Sequence, residues 1–240
     1  MGARDILDRA IDRHGGEDGK RRLAAVRLSV EHLGGRIPNA KGLGRTHPKP
    51  SVITVEPFAP RLTFHDYPEP GWTIVYDDGL LAVHPGEGGG GRQLHMGYRE
   101  TFRGLKKLRR WSPLDAAYFF GYAVSDYLSL PFSLADKASV GSGVTRDGDM
   151  LLDRLDVRHP PGADTHSTKQ SYYFAPDGLL VRHDYRADIL GPVFTGAHES
   201  DDYDESLGVP IALRRTVRAR VGRKVLPVTV LEARFALLDD

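Results

Sequence analysis

Long stretches of the chain alternate apolar and polar residues, a period that is typical of extended strands rather than helices. In VRHDYRADILG, residues 181–191, His183 and Tyr185 fall on the apolar phase, whereas Arg182 and Asp184 fall on the other, which we expect to face water. Burying a polar group without a partner costs about 1–3 kcal/mol, so an imidazole and a phenol on the apolar phase need an explanation. The stretch predicts either a hydrogen-bonded network in the core or the lining of a cavity.

The same alternation recurs in short segments that are separated by turn signals such as DDG, RDGD and APDG. Strands at hairpin spacing favour an antiparallel sheet. A sheet of about ten or eleven strands is expected to curl rather than stay flat. The predicted strands are residues 26–33, 51–55, 61–64, 72–76, 80–84, 150–158, 165–174, 179–189, 193–203, 209–220 and 228–238.

Two segments follow a helical period instead, and a short helical piece is predicted between them, before Ala25. Residues 5–14 carry an apolar stripe and are followed by two glycines, which end a helix. Ser112, Pro113 and Asp115 provide a serine N-cap, a proline at the first helical position and an acidic residue at the third. They predict a helix that ends at residue 128 or 129. This second helix is apolar around most of its circumference, so we expect it to be enclosed on several sides.

These elements predict an α+β protein that is mostly antiparallel β. We expect a curled half-barrel sheet, with the N-terminal helix and the central helical insertion covering its concave face. No long linker divides the chain, so we predict a single domain over residues 1–240.

Charge and composition exclude several classes of function. Lys and Arg total 33 against 32 Asp and Glu, and the net charge of +1 supplies no field for capturing nucleic acid. The chain has no cysteine, which excludes disulfides and thiolate-bound metals. Its most apolar window is shorter than the roughly 20 residues of a membrane helix, so no stable membrane insertion is expected. Because the N-terminal residues lack a signal peptide, we expect a cytoplasmic protein.

Polar residues on otherwise apolar strand faces are the candidates for chemistry. They are Asp153, His183, Tyr185 and Arg215. A buried carboxylate or guanidinium is rarely unpaired, so Asp153 and Arg215 are expected to pair with each other or with another partner. In one interpretation these residues form a structural network. In the other they line a cavity, where His183 acts as acid or base and Tyr185 or Arg215 holds a developing oxyanion.

The acidic stretch GAHESDDYDE raises the question of a metal site around His198, with Asp201, Asp202 or Asp204 as the other ligands. Strand geometry puts His198 and Asp202 about 13 Å apart, too far for one ion. The chain contains none of the common metal-binding spacings. We therefore predict an exposed acidic hairpin end, no metal and no cofactor.

The run RGLKKLRR, from Arg103 to Arg110, is a dense basic segment. Its simplest interpretation is the solvated face of a short helix. The alternative is a docking patch for an anionic partner such as a membrane surface, a carrier protein or a phosphate.

The order of elements also resembles a known family. A helix ended by two glycines, a strand entering through SVEHLGG, a central helical insertion and a run of hairpins resemble the lipoprotein-carrier (LolA/LolB-like) half-barrel. Two stretches, THSTKQSYYFAPDGLLVRHDYRADILG and SPLDAAYFFGYAVSDYLSLPFSLA, are similar to an uncharacterised group of bacterial proteins. The second resemblance implies no catalytic residue.

The carrier resemblance implies a hydrophobic cavity between the sheet and the helices. We therefore expect a protein that binds a lipophilic small molecule there. One alternative is a cofactor-independent cyclase or isomerase that acts on a polyketide-like or terpenoid-like substrate in the same cavity. Another is a structural protein with a packed interior. The aromatic residues expected to line the ligand site are Trp72, Tyr118, Phe119, Tyr122, Tyr172 and Phe174.

Overall fold

The computed structural model describes residues 2–46, 48–104, 109–135, 137–159, 167–186 and 195–239. The helices in this part of the chain are α1 (Ala3–Arg13), α2 (Gly16–Arg22), α3 (Arg36–Lys41) and α4 (Pro113–Ser129). The strands are β1 (Val26–Gly34), β2 (Val52–Glu56), β3 (Arg61–His65), β4 (Thr73–Asp77), β5 (Leu80–His84), β6 (Gln93–His95), β7 (Ala138–Asp147), β8 (Met150–Arg158), β9 (Lys169–Phe174), β10 (Leu180–Arg186), β11 (Thr195–Asp204), β12 (Ile211–Val221) and β13 (Lys224–Leu237).

The strands form a 13-stranded sheet in the order β6-β5-β4-β3-β2-β1-β13-β12-β11-β10-β9-β8-β7. Neighbouring strands run antiparallel, as in the pairs β1–β2, β8–β9 and β10–β11. The predicted fold class, a mostly antiparallel β protein with few helices, is confirmed. Among the described residues, none of the helices has both the length and the hydropathy that a membrane crossing requires.

Sequence periodicity misses two strands and one helix. Strand β6 is only three residues long, and β7 has the sequence ASVGSGVTRD at an edge of the sheet. An edge strand has a neighbour on one side only, so it forms without the run of apolar residues that marks a central strand. Helix α3, with the sequence RIPNAK, is six residues long and contains a proline, so it shows no helical period.

The chain divides into two compact units. The first unit comprises residues 1–22 and 130–230, and the second comprises residues 23–129 and 231–240. Strand β13 contributes residues to both. The single-domain organisation stays a prediction.

Helix α1 covers one face of the strands in the first unit. Its buried residues Ile6, Leu7 and Ala10 belong to the core, and Arg9 forms an ion pair with Asp153 of β8. Each fully buried Leu or Ile side chain contributes about 1.5–3 kcal/mol. The face of β8–β10 that α1 covers is called the helix face below, and the other is called the opposite face. The remaining members of this core are Leu130, Leu134, Leu155, Val157, Tyr172, Phe174 and Leu180.

Helix α4, in the second unit, spans the residues that the sequence predicts. The Oγ of Ser112 accepts a hydrogen bond from the backbone N–H of Asp115 at 3.2 Å, and the carboxylate of Asp115 accepts one from the N–H of Ser112 at 2.9 Å. Such a reciprocal cap is worth about 1 kcal/mol. The hydroxyl of Tyr98 also donates to Asp115 at 2.9 Å. This carboxylate is therefore buried with its oxygens satisfied.

A glycine lets α4 lie close to the strands beneath it. A Cβ at Gly121 would fall 2.4 Å from Cγ of Tyr76, a side chain of β4 that is almost fully buried. Any larger residue at this position would push the helix away from the sheet, because the ring of Tyr76 has no free space to move into.

We expect Gly121→Ala to lower the free energy of unfolding by about 1–3 kcal/mol, because the added methyl group overpacks the contact with Tyr76. Urea denaturation followed by circular dichroism measures the change. Gly91→Ala is the matched control, since a Cβ at Gly91 would meet nothing within 4 Å. Equal unfolding midpoints for the two variants would contradict the close approach of α4.

Candidate functional site

A ladder of rings crosses three neighbouring strands on the helix face of the first unit. Tyr172 of β9 stands opposite His183 of β10, and His183 stands opposite His198 of β11. The rings of Tyr172 and His183 are stacked, with centroids 4.5 Å apart and an interplanar angle of 9°. The rings of His183 and His198 are 6.4 Å apart. Leu155 and Val217 are the next partners on either side, so apolar residues flank the ladder.

The side-chain amide of Gln170 connects this ladder to a further histidine. Its Oε1 accepts hydrogen bonds from the hydroxyl of Tyr172, at 2.9 Å, and from Nε2 of His183. Its Nε2 lies 2.9 Å from Nε2 of His159 and donates to the carbonyl of Ser167 at 3.0 Å. Since an amide oxygen only accepts, the network assigns the proton of neutral His183 to Nε2 and leaves Nε2 of His159 as an acceptor.

Burial keeps these histidines neutral. It lowers the pKa of His159 to about 4 and that of His183 to about 3, and the positive charge of Lys137 adds to both effects. Burial also lowers the pKa of His198 well below its ordinary value of 6.5, with a further contribution from Arg215. A histidine with so low a pKa is a weak proton acceptor at neutral pH. The arrangement is better suited to stabilising the fold than to acid–base catalysis.

The predicted catalytic residues are only partly brought together. Tyr185 lies beside His183, with ring centroids 5.0 Å apart. Arg215 donates to the hydroxyl of Ser200 at 3.2 Å and is close enough to lower the pKa of His183. Asp153 instead pairs with Arg9 of α1, so the carboxylate and Arg215 have found separate partners.

The prediction of an exposed acidic hairpin end around His198 is wrong for the histidine, which is only 2% exposed. The register between β10 and β11 turns His198 toward His183, and alternation within a single strand does not reveal this pairing. The acids that follow it in β11 have other partners. Asp201 forms an ion pair with Arg214, and Asp204 accepts a hydrogen bond from the backbone N–H of Ser206. Among the described residues, no group of three His, Asp or Glu side chains is placed to hold a metal.

The alternation predicts that the opposite face of β10 lies in water, and this prediction is wrong. Arg182 is 6% exposed and Asp184 is 3% exposed. The guanidinium donates from Nε and Nη2 to both oxygens of Asp184, at 2.8 and 2.9 Å, and from Nη1 to Asp147 at 2.7 Å. Tyr173 lies under the guanidinium and donates its hydroxyl to Asp184 at 3.0 Å. Burial of these charges is possible because each has a partner.

The predicted ligand-binding aromatics lie in different places. Tyr172 and Phe174 are fully buried in the core of the first unit. In the second unit, Tyr118 stacks on Phe102 and Phe119 lies against Trp111. Tyr122 and Trp72, also in the second unit, are half-buried. These residues are divided between the two units, and their role in binding stays a prediction.

The predicted docking patch from Arg103 to Arg110 falls partly outside the described residues, which omit 105–108. Its described arginines are exposed. An anionic partner at this patch therefore stays a prediction.

An apolar cleft, which the sequence pattern does not reveal, lies between α4 and the strands of the second unit. The cleft has a volume of about 20 Å³. Helix α4 contributes Val124 and Phe120 to its lining, and Phe120 is half-buried. Phe120 gives no separate signal in the sequence, because it stands in a continuous run of aromatic and small residues. All the lining side chains are hydrocarbon: Val30, Leu33, Pro50, Ile53, Phe64, Phe120, Val124 and Phe235.

A known structure shares this architecture. A LolA superfamily protein from Nitrosomonas europaea superimposes with a TM-score of 0.51, covering 100% of this chain and 94% of its own, at 11% sequence identity. The chain has a LolA-like fold. A DUF1329 family protein from Desulfovibrio piger gives a TM-score of 0.42 at 10% identity, covering 98% of this chain and 92% of its own. No protein-family profile matches the sequence, and no curated protein is significantly similar to it. At such identities the likeness establishes the fold alone.

Buried histidines make the stability of the first unit depend on pH. Burial lowers the pKa of His14 to about 4, as it does for His159, and those of His183 and His198 are lowered as well. The unfolded chain binds protons at the ordinary histidine pKa of 6.5, so the folded state is at its full stability above that pH. As the pH falls from 6.5 toward 4, the unfolded state gains protons that the folded state cannot accept, and stability is lost.

We expect the thermal unfolding midpoint to fall steeply over this pH range. His198→Phe keeps a ring in the ladder but removes one imidazole that takes up a proton on unfolding. The midpoint of this variant should therefore depend less steeply on pH. His84→Gln, at an exposed strand end, is the matched control and should follow the wild type. A wild-type midpoint that stays constant between neutral pH and pH 4 would contradict burial of neutral histidines.

Proposed function

We propose that this protein binds a lipophilic small molecule in the apolar cleft of its second unit. The observation that carries the proposal is the lining of the cleft, which consists of hydrocarbon side chains from α4, the sheet and the segment before β2. Such a surface offers nothing to a polar ligand, whereas each CH₂ group transferred into it gains about 0.8 kcal/mol.

The size of the cleft indicates how a ligand would bind. A volume of about 20 Å³ holds about one water molecule, and no lining side chain offers that water a hydrogen bond. A hydrocarbon chain needs more room, so the ring of Phe120 has to swing outward. Phe120 is half-buried, whereas Phe64 on the other side of the cleft is fully buried. Moving the helix residue is therefore the less costly way to open the site.

The fold supports the same proposal. The carrier resemblance implies a hydrophobic cavity between sheet and helices, and the apolar cleft occupies such a position in the second unit. Helix α4 is suited to such a position, because most of its residues are apolar and most are buried.

The cyclase or isomerase alternative has weaker support. It requires His183 to exchange protons with a substrate, but burial lowers the pKa of this imidazole to about 3. The Nε2 of His183 is also engaged by Gln170, and one face of its ring is covered by Tyr172. A structural network accounts for these contacts more simply than an active site does.

Two variants test the binding proposal, with 1-dodecanol as a neutral probe and isothermal titration calorimetry as the measurement. Phe120→Ala removes the ring that has to move, so we expect binding about fivefold to tenfold tighter than in the wild type. Val30→Glu places a carboxylate in the cleft, and we expect binding at least about tenfold weaker.

Two control variants show whether the probe binds in the apolar cleft or elsewhere on the protein. Val144→Glu introduces the same charge at a residue that is 65% exposed in the first unit, and it should bind like the wild type. His183→Gln should also leave binding unchanged, because the ring ladder is not part of the proposed site. A loss of binding in His183→Gln, or equal affinities for Phe120→Ala and Val30→Glu, would overturn the proposal.

A further inference from the structure

Three cations stand side by side at one end of the opposite face in the first unit. Arg158 is the last residue of β8 and is the direct cross-strand partner of Lys169, the first residue of β9. Ser171 pairs with Asp184 in the next strand, and two residues further on the backbone N–H of Arg186, the last residue of β10, donates to Oγ of Ser167, which in turn donates to the carbonyl of Lys169. All three are exposed. Arg158, Lys169 and Arg186 are called the cationic row.

Two members of the row, Arg158 and Lys169, differ from the other cations of this face, which are matched with acids. Arg154 lies 3.2 Å from Asp156, and Arg218 lies 2.8 Å from Glu199. By contrast, within the described residues neither Arg158 nor Lys169 forms an ion pair. Like charges placed directly opposite each other in an antiparallel pair are destabilising. The two cations therefore repel each other in the free protein, and an anion placed between them would relieve the repulsion.

We propose that the cationic row docks the protein onto an anionic lipid surface. Neighbouring strands are about 4.8 Å apart, so the three cationic side chains lie within about 10 Å of one another and can share neighbouring lipid headgroups. They are exposed at the ends of strands. A bilayer presents its phosphates on a broad surface that such a row can meet directly.

Nucleic acid fits the same row less well. The row is short, and it contains no aromatic residue on which a base could stack. The net charge of +1 for the whole chain also provides no long-range attraction for a polyanion. The membrane proposal stands on the charges alone, so it does not depend on the apolar cleft binding a ligand.

Each basic residue at an anionic membrane surface strengthens binding about fivefold, the equivalent of about 1 kcal/mol. The variant R158Q/K169Q/R186Q should therefore bind about a hundredfold more weakly than the wild type to vesicles that contain phosphatidylserine. Co-sedimentation with these vesicles measures the partition coefficient, and vesicles of phosphatidylcholine alone provide the baseline. Raising the salt from about 0.1 M to about 0.5 M should abolish the difference between wild type and variant.

The matched control is R4Q/R21Q/R223Q, which removes the same charge from exposed positions elsewhere in the first unit. It should bind like the wild type, and equal losses in the two triple variants would overturn the proposal. So would a wild type that ignores the vesicles but binds duplex DNA through the same three residues. Melting temperatures verify that the triple variants are folded.

One further variant separates this proposal from the one on ligand binding. Val30→Glu alters the apolar cleft and leaves the row intact, so it should sediment with the vesicles like the wild type. Vesicle binding that is lost in Val30→Glu but kept in R158Q/K169Q/R186Q would assign the membrane contact to the second unit and overturn the role of the row.

Discussion

The hydrogen bonds that align β9, β10 and β11 hold Tyr172, His183 and His198 directly opposite one another. Because successive residues of a strand face opposite ways, Arg182 and Asp184 of β10 lie next to each other on the other face, and the register places Tyr173 of β9 opposite Arg182. A shift of one residue between these strands would exchange the two faces. It would turn the guanidinium of Arg182 toward the apolar core under α1. Both the buried network and the cationic row depend on this alignment.

The helix face and the opposite face compensate the cost of burying polar groups in different ways. On the helix face the histidines are neutral, and the amide of Gln170 supplies both an acceptor and a donor. On the opposite face Arg182 and Asp184 form two parallel hydrogen bonds. On both faces the polar groups named here already bond to other groups of the protein. The hydrocarbon lining of the apolar cleft in the second unit provides a better surface for a lipophilic ligand.

Local patterns in the sequence predict much of the fold. The alternation of apolar residues identifies the central strands, and the cap formed by Ser112 and Asp115 marks the start of α4. The buried polar network of the first unit is harder to predict from the sequence, because partners on other strands bury His198 and Arg182. A single strand does not show its register with a neighbour, so it cannot reveal these contacts. The apolar cleft is hidden for a similar reason, since its lining comes from segments far apart in the chain.

The central claim is that the apolar cleft holds a lipophilic molecule, and native mass spectrometry of protein purified without detergent tests it most directly. We predict a bound apolar compound in one-to-one ratio in the wild type, which is released on denaturation and is absent from Val30→Glu. A wild type that carries no such compound, and that forms no adduct when fatty acids, long-chain alcohols and sterols are added, would contradict the account.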